Sequence, residues 1–433
     1  MHIRIRTSAI AGVVMTMLAA LGVSFALSPP AQAAVYSNIA YAPAQPAGSK
    51  GHLLDLYLPT GGLTPRPLLI WHKGSAWSSD EGKTGADAIA AIFNPKGFAV
   101  AGVSVRSSAQ AVFPAQVHDI KAAIRWLRAN ASTYQLDPQR FAMLGESSGG
   151  WLTEMATLTG GVSSLEGTIG TTGYSSALQT GLAMYSPTDF LQMNAQNLPT
   201  GGVNHDSPAS PESALIGCAI QTCPTQTALA NPMNYVDAND PPLMFLHGQA
   251  DFLVPHGQSV LLYNKIKTSC GNAQFISIPG ADHGMAYIMD PARFGTQTTY
   301  TTQGNCAGTT QTGTPNPTWD TFERWLRGGL KLGNSCSVAY VPSPWSGAFN
   351  AQVTITNTGT TPVDRWALEW TWPGSQQVTS SWNSTITQTG TSVVARDSGN
   401  AYIGPGSAQS FGFQANGTSA IPSQFKLNGI VCT

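Results

Sequence analysis

Charge is scarce in this chain: 21 Lys and Arg and 22 Asp and Glu among 433 residues leave a formal net charge of −1. Both signs are scattered and no basic block occurs, so nucleic acid and anionic membrane surfaces are set aside as partners. Cysteine is limited to six residues. Without a C-x-x-C pair or an H-x-x-x-H spacing, the usual zinc signatures are missing and no metal is expected. Long apolar runs are missing beyond the N-terminus. There, a basic start (Arg4, Arg6) precedes an apolar stretch to Leu27 and the sequence Ala31-Gln32-Ala33. That order predicts a signal peptide over 1–33, cut before Ala34, and an exported, soluble chain. A membrane anchor is the competing reading, disfavoured by the cleavage site and the polar residues after it.

In an exported chain six cysteines suggest three disulfides. Of the fifteen possible connectivities, Cys218–Cys223, Cys270–Cys306 and Cys336–Cys432 is favoured, a choice that keeps each bridge inside one structural unit. The last closes more than ninety residues and is worth on the order of 4–5 kcal/mol in the loop-entropy model.

From residue 34 to 332, short apolar runs alternate with segments of helical period. The runs at 67–71, 98–104, 140–144, 182–185 and 243–247 are continuous, as in central parallel strands, while 52–58 alternates like a half-exposed strand. Helical faces occur over 116–134 (Ile120, Ala123, Ile124, Leu127) and 319–330 (Phe322, Trp325, Leu326). This alternation predicts an α/β unit, a mostly parallel sheet covered on both sides. Residues 187–240 read as loop-like, rich in Pro, Ser and Asn, and placed to form a cap or rim over the sheet's active edge. Residues 293–316 read as a loose insertion unless Cys306 ties them down. After residue 332 helical periodicity almost vanishes, and 336–433 reads as a separate all-β sandwich behind a short linker at 333–335.

The stretch that carries chemistry is Gly145-Glu146-Ser147-Ser148-Gly149, held between an apolar strand and an apolar helix. Glycine at −2 and +2 lets the backbones pass closely, and the tight turn projects the Ser147 hydroxyl away from the sheet. A serine nucleophile needs a base and an orienting acid, which in parallel-sheet hydrolases follow in the order Ser, acid, His. Asp251 lies just beyond the strand at 243–247, and His283 sits on a loop hinged by Gly280 and Gly284. Asp189 is the second candidate acid. His247 ends a strand and is expected to pack or bond locally; His72, His118, His205 and His256 are expected to be structural or surface groups. The implied chemistry is acyl transfer through Ser147, His283 and Asp251, without a cofactor.

The first unit resembles an α/β-hydrolase of the esterase/lipase group that includes bacterial feruloyl and acetyl esterases. The likeness runs through Val105-Arg106, 113–127, Gly145-Glu146-Ser147-Ser148-Gly149-Gly150, 210–217, 240–248 and Gly280-Ala281-Asp282-His283-Gly284. It implies oxyanion donors from the Ser148 N–H and from the loop His72-Lys73-Gly74-Ser75-Ala76-Trp77. Against the family's H-G-G-G loop two registers compete, with either His72 or Lys73 in the histidine position. The second is preferred because Gly-Ser-Ala-Trp then continues naturally; it makes the Ser75 N–H the donor and Gly74 the residue that gives room. Trp77 either lines the pocket or packs.

The tail resembles a family 2 carbohydrate-binding module of the cellulose-binding type. The matching features are terminal Cys336 and Cys432, Trp345-Ser346-Gly347, Trp366, Ser381-Trp382-Asn383 and Phe411-Gly412-Phe413. The resemblance implies a flat strip of exposed aromatics that stacks on sugar rings. Trp366, Trp370 and Trp372 share one parity and are expected in the core. Trp345 and Trp382, set among polar residues, are expected in the strip, with Tyr402 standing where the family has a third tryptophan. The two resemblances together imply a secreted serine esterase of plant cell-wall polysaccharide, acting on acetyl xylan or feruloyl esters as a monomer anchored to cellulose. The competing readings are a peptidase or polyester hydrolase on the same fold, and a binding protein with a vestigial hydrolase unit.

Overall fold

The computed structural model describes residues 34–432 apart from 61–64, 333–335, 359–361, 364 and 429, so the expected signal segment (1–33) and the expected linker (333–335) lie outside the described residues. Ten strands form the first sheet: β1 (Ala34–Ala40), β2 (Leu53–Leu58), β3 (Arg66–His72), β4 (Ala99–Val103), β5 (Leu136–Glu146), β6 (Thr180–Met184), β7 (Leu243–Gly248), β8 (Asn272–Ile278), β9 (Thr298–Gln303) and β10 (Gly308–Thr312). Their spatial order is β1-β2-β4-β3-β5-β6-β7-β8-β9-β10. Neighbours from β4 through β8 run parallel, and the strands at both edges are antiparallel.

Helices flank the sheet: α1 (Ala86–Phe93), α2 (Ala115–Ala129), α3 (Ser148–Leu158), α4 (Pro211–Ile216), α5 (Pro224–Ala228), α6 (Gly257–Thr268), α7 (Met285–Ile288) and α8 (Trp319–Gly329). The apolar continuity of the central strands has its reason here. Leu68 and Ile70 of β3 join the core that holds Val117, Ile124 and Trp151 of α2 and α3. Leu69 and Trp71, on the other face, join Ile89, Phe93, Phe322 and Leu326 of α1 and α8. A strand buried on both faces needs no polar alternation.

Two stretches differ from the sequence expectation. Residues 298–312 form a hairpin that extends the sheet beyond β8, instead of a loose insertion. Threonines suit a pleated surface, and Cys306 in the turn is bonded to Cys270. The span 187–240 is built of one-turn and two-turn helices, including α4 and α5, with Cys218 bonded to Cys223 between them.

The tail is wholly antiparallel. Its strands are β11 (Ser337–Trp345), β12 (Ala348–Thr356), β13 (Ala367–Thr371), β14 (Gln377–Trp382), β15 (Ser384–Thr389), β16 (Ser392–Asp397), β17 (Ala408–Asn416), β18 (Phe425–Leu427) and β19 (Ile430–Val431). They form two sheets, β11-β12-β17-β14 and β15-β16-β13-β18-β19. Between them lie Phe349, Val353 and Ile355 of β12, Phe411 and Phe413 of β17, and the buried Trp366, Trp370 and Trp372. Cys336 and Cys432 are bonded. Among the described residues, no helix is long and apolar enough to cross a membrane.

Candidate active site

Strand β5 ends at Glu146 and α3 begins at Ser148, so Ser147 alone makes the turn, with φ 53° and ψ −123°. A side chain on a left-handed backbone is strained, and the crowding around it shows what enforces the conformation. A Cβ on Gly145 would lie 2.1 Å from the Gly149 carbonyl oxygen, and one on Gly149 would lie 2.2 Å from that of His72. The glycines thus let the elbow close against itself and against the end of β3.

The three distant candidates meet at the carboxyl edge of the sheet. Ser147 Oγ is 3.0 Å from His283 Nε2, and His283 Nδ1 is 2.8 Å from Asp251 Oδ2. A carboxylate only accepts, so Nδ1 carries the hydrogen and Nε2 is free to accept from the serine hydroxyl. The loops bearing Asp251 and His283 are sewn together: Ala250 N–H donates to the Ala281 carbonyl at 2.9 Å, and Phe252 N–H to Asp282 Oδ1 at 3.4 Å. Asp251 is buried, and its Oδ1 accepts from the N–H groups of Leu253 (2.9 Å) and Val254 (2.8 Å). Burial alone would raise its affinity for a proton. Hydrogen bonds from His247 and His283 outweigh that and hold the carboxyl well below the usual range. Tyr185 packs edge-on against His283 at 4.6 Å between ring centres, and its hydroxyl donates to Glu146.

The loop after β3 closes over the elbow. A Cβ on Gly74 would lie 2.6 Å from Ser147 Cβ, so only glycine fits there. Ser75 N–H donates to Ser148 Oγ at 2.9 Å, with Trp77 N–H at 3.4 Å from the same oxygen. His72 is buried with Nδ1 2.7 Å from the Val103 carbonyl, whereas Lys73 is exposed. Burial pushes His72 down to about 4, so it stays neutral. Trp77 is only 6% exposed and packs against Trp151 and Phe190, which answers the choice between lining and packing. Asp189 is not part of the constellation. It caps a short turn, accepting from Leu191 N–H and from Gln192.

In the tail, Trp345, Trp382 and Tyr402 are 46%, 42% and 59% exposed. Register pairs Trp345 with Ala348, Ala348 with Asn416, Gln352 with Gly412, and Gly412 with Trp382. Directly paired residues share a face, and Phe349 and Val353 point inward, so both tryptophans stand on the outer face of one sheet. The Trp382 indole lies across Gly412, where a Cβ would come within 2.2 Å of the ring. Tyr402 lies in the loop ahead of β17, outside any strand.

Comparison with known proteins agrees with this division. Residues 54–266 match the BD-FAE family, and residues 336–432 match the cellulose binding domain family. The chain joins a BD-FAE esterase domain to a cellulose-binding domain. The esterase domain resembles a solved structure described as a truncated form of carbohydrate esterase from gut microbiota (TM-score 0.56, 29% identity, covering 70% of this chain and 99% of that one). It is also similar to esterase LipQ of Mycobacterium tuberculosis, 27% identical over 257 residues, 58% of this chain and 57% of LipQ. The cellulose-binding domain is 45% identical over 101 residues to endoglucanase B of Cellulomonas fimi, 23% of this chain and 10% of that enzyme. The chain therefore spans just over half the length of LipQ and a tenth of the endoglucanase.

Two groups of the esterase domain carry more than the sequence reading assigned them. Glu154 of α3 is buried against Ser186 and Thr188, and burial raises it to about 8 despite those hydrogen bonds. His247, expected only to pack or bond locally, has its Nε2 3.2 Å from Asp251 Oδ2. Nothing in the sequence distinguishes that histidine from a core one except its position four residues ahead of the acid.

Proposed function

We propose that this chain is a secreted serine esterase of plant cell-wall polysaccharide esters, held on cellulose by its tail. The catalytic unit would be 34–332 and the binding unit 336–433. The observation that carries the reading is the unbroken hydrogen-bonded line Ser147–His283–Asp251. In this mechanism Ser147 Oγ bonds to the ester carbonyl carbon while its proton passes to His283 Nε2. The oxyanion forms beside the N–H of Ser148; the N–H of Ser75, which donates to Ser148 Oγ in the structure, must release that bond to join it. On collapse the C–O bond to the alcohol breaks, and the alcohol leaves with the proton from His283. Water then attacks the acyl-serine by the same route reversed. Asp251 fixes the tautomer of His283 and stabilises its cation.

The leaving alcohol must lie within reach of His283. The exposed Phe252 and Leu253 follow Asp251, and the exposed Tyr287 lies in α7 just after His283; these are the residues offered for that alcohol side. A sugar alcohol suits aromatic neighbours. A cellulose anchor fits an immobile polysaccharide ester, because tethering raises local concentration without new active-site contacts. Three disulfides accord with an oxidising, extracellular setting.

Acetate release from acetylated xylan, ferulate release from methyl ferulate and cleavage of a peptide, measured in parallel with Ser147→Ala as control, test the reading. Ester turnover abolished by Ser147→Ala is expected. Peptide cleavage without ester turnover would replace the esterase with a peptidase, and inertness towards all three would leave only the binding function.

A further inference from the structure

Asp251 is held by two imidazoles. His283 takes Oδ2 from the solvent side at 2.8 Å; His247, wholly buried near the end of β7, approaches the same oxygen with Nε2 at 3.2 Å. The hydrogen positions on His247 follow from its other partners. Its Nε2 is 2.9 Å from the Val254 carbonyl, which only accepts, so Nε2 bears the hydrogen. Its Nδ1, 2.7 Å from Ser259 Oγ, then accepts from that hydroxyl. The hydrogen on His247 Nε2 is thus set independently of the acid: it is given to the Val254 carbonyl, and Asp251 Oδ2 lies 3.2 Å from the same nitrogen.

We propose that His247 is a positioning residue of the ester hydrolysis proposed above: it fixes the Asp251 carboxylate and draws off part of the charge that Asp251 offers to His283. The line Ser147–His283–Asp251 therefore continues through His247 to Ser259. A donor on the carboxylate makes Asp251 a weaker partner for the imidazolium, which keeps His283 available as a base at lower pH. The other groups around His247 do not supply this effect. His256, 5.7 Å away ring to ring, is kept neutral by burial and is bonded to Ser277 Oγ. Asp282 turns its Oδ1 to the N–H groups of Phe252 and His283. This inference rests on the esterase reading for its meaning, but not for its test.

The test compares His247→Leu, which removes the donor, with His247→Gln, whose amide N–H replaces it. For each, the pH profile of kcat/KM on p-nitrophenyl acetate, an NMR titration of the His283 ring and thermal unfolding are measured. In His247→Leu the acid limb and the His283 titration should both move up by about 0.5–1 pH unit, with kcat lowered roughly tenfold. In His247→Gln both should lie within about 0.3 unit of the parent protein. If His247→Leu does not fold, Ser259→Ala, which takes away the hydroxyl that holds the tautomer, should give a smaller shift of the same sign. A folded His247→Leu with an unmoved His283 titration overturns the proposal, as does a folded His247→Gln that behaves like His247→Leu. The NMR titration needs no turnover, so an inert parent protein would sink the esterase reading and leave this one to be decided separately.

Discussion

The Ser147 hydroxyl stands on a left-handed backbone because two glycines let its turn fold tightly, and His283 meets it at hydrogen-bond distance. Replacing Ser147 or His283 by alanine is expected to cost on the order of 10⁶ in turnover of p-nitrophenyl acetate, and the double variant little more, since the two act as a unit. These residues were legible because the chemistry dictates their setting. A nucleophile on a strand-to-helix turn needs glycines at fixed offsets, and the acid and base follow beyond later strand ends in a set order. His247 was not legible, because its function depends on which nitrogen faces Asp251 across a buried gap. Sequence carries no trace of that. The register of the oxyanion loop, with Lys73 preferred in the histidine position, had only local continuity to judge by; in the structure the buried ring of His72 bonds to the Val103 carbonyl of β4.

Helix α3 carries Ser147 at its head and buries Glu154 about two turns further on. Glu154 holds its proton in the folded chain up to about pH 8, whereas an unfolded chain loses it near pH 4–5, as roughly expected for a free glutamate. Folding stability from this group is therefore fully present below about pH 4 and is lost as pH rises to about 8. Glu154→Gln should remove that slope, raising Tm relative to the parent at pH 9 while matching it near pH 4, as calorimetry at the two values would show. At high pH the gain is on the order of 5 kcal/mol. In the tail, a Cβ on Gly412 would displace the indole lying across it, so Gly412→Ala should weaken adsorption to microcrystalline cellulose alongside Trp382→Ala. Each loss should be about tenfold or more in the binding isotherm. At this scale the sequence was informative where one period dominates: the buried parallel strands, α2, α8 and the shared parity of Trp370 and Trp372. It was silent on β9 and β10, whose threonines and glycines resemble a loop until the free edge of β8 is there to pair with them.

Over the whole molecule, the ends of the cellulose-binding domain are tied by Cys336–Cys432, a bridge across 96 positions. Cys432→Ser, which leaves the two bridges of the esterase domain intact, should destabilise that domain by about 4–5 kcal/mol. The loss should appear as a lower-temperature transition in calorimetry while that of the esterase domain stays in place. Only four peptide steps separate Leu332 from Cys336, which at about 3.3–3.6 Å each allow roughly 14 Å of chain between the two domains. A molecule adsorbed through Trp345 and Trp382 is in effect grazing on a very short lead. On the proposed function it would deacylate only the patch it stands on, so progress curves on a solid should flatten with most ester groups untouched, then resume when fresh surface or desorption lets molecules settle elsewhere. The height of that plateau should rise with enzyme loading rather than with time.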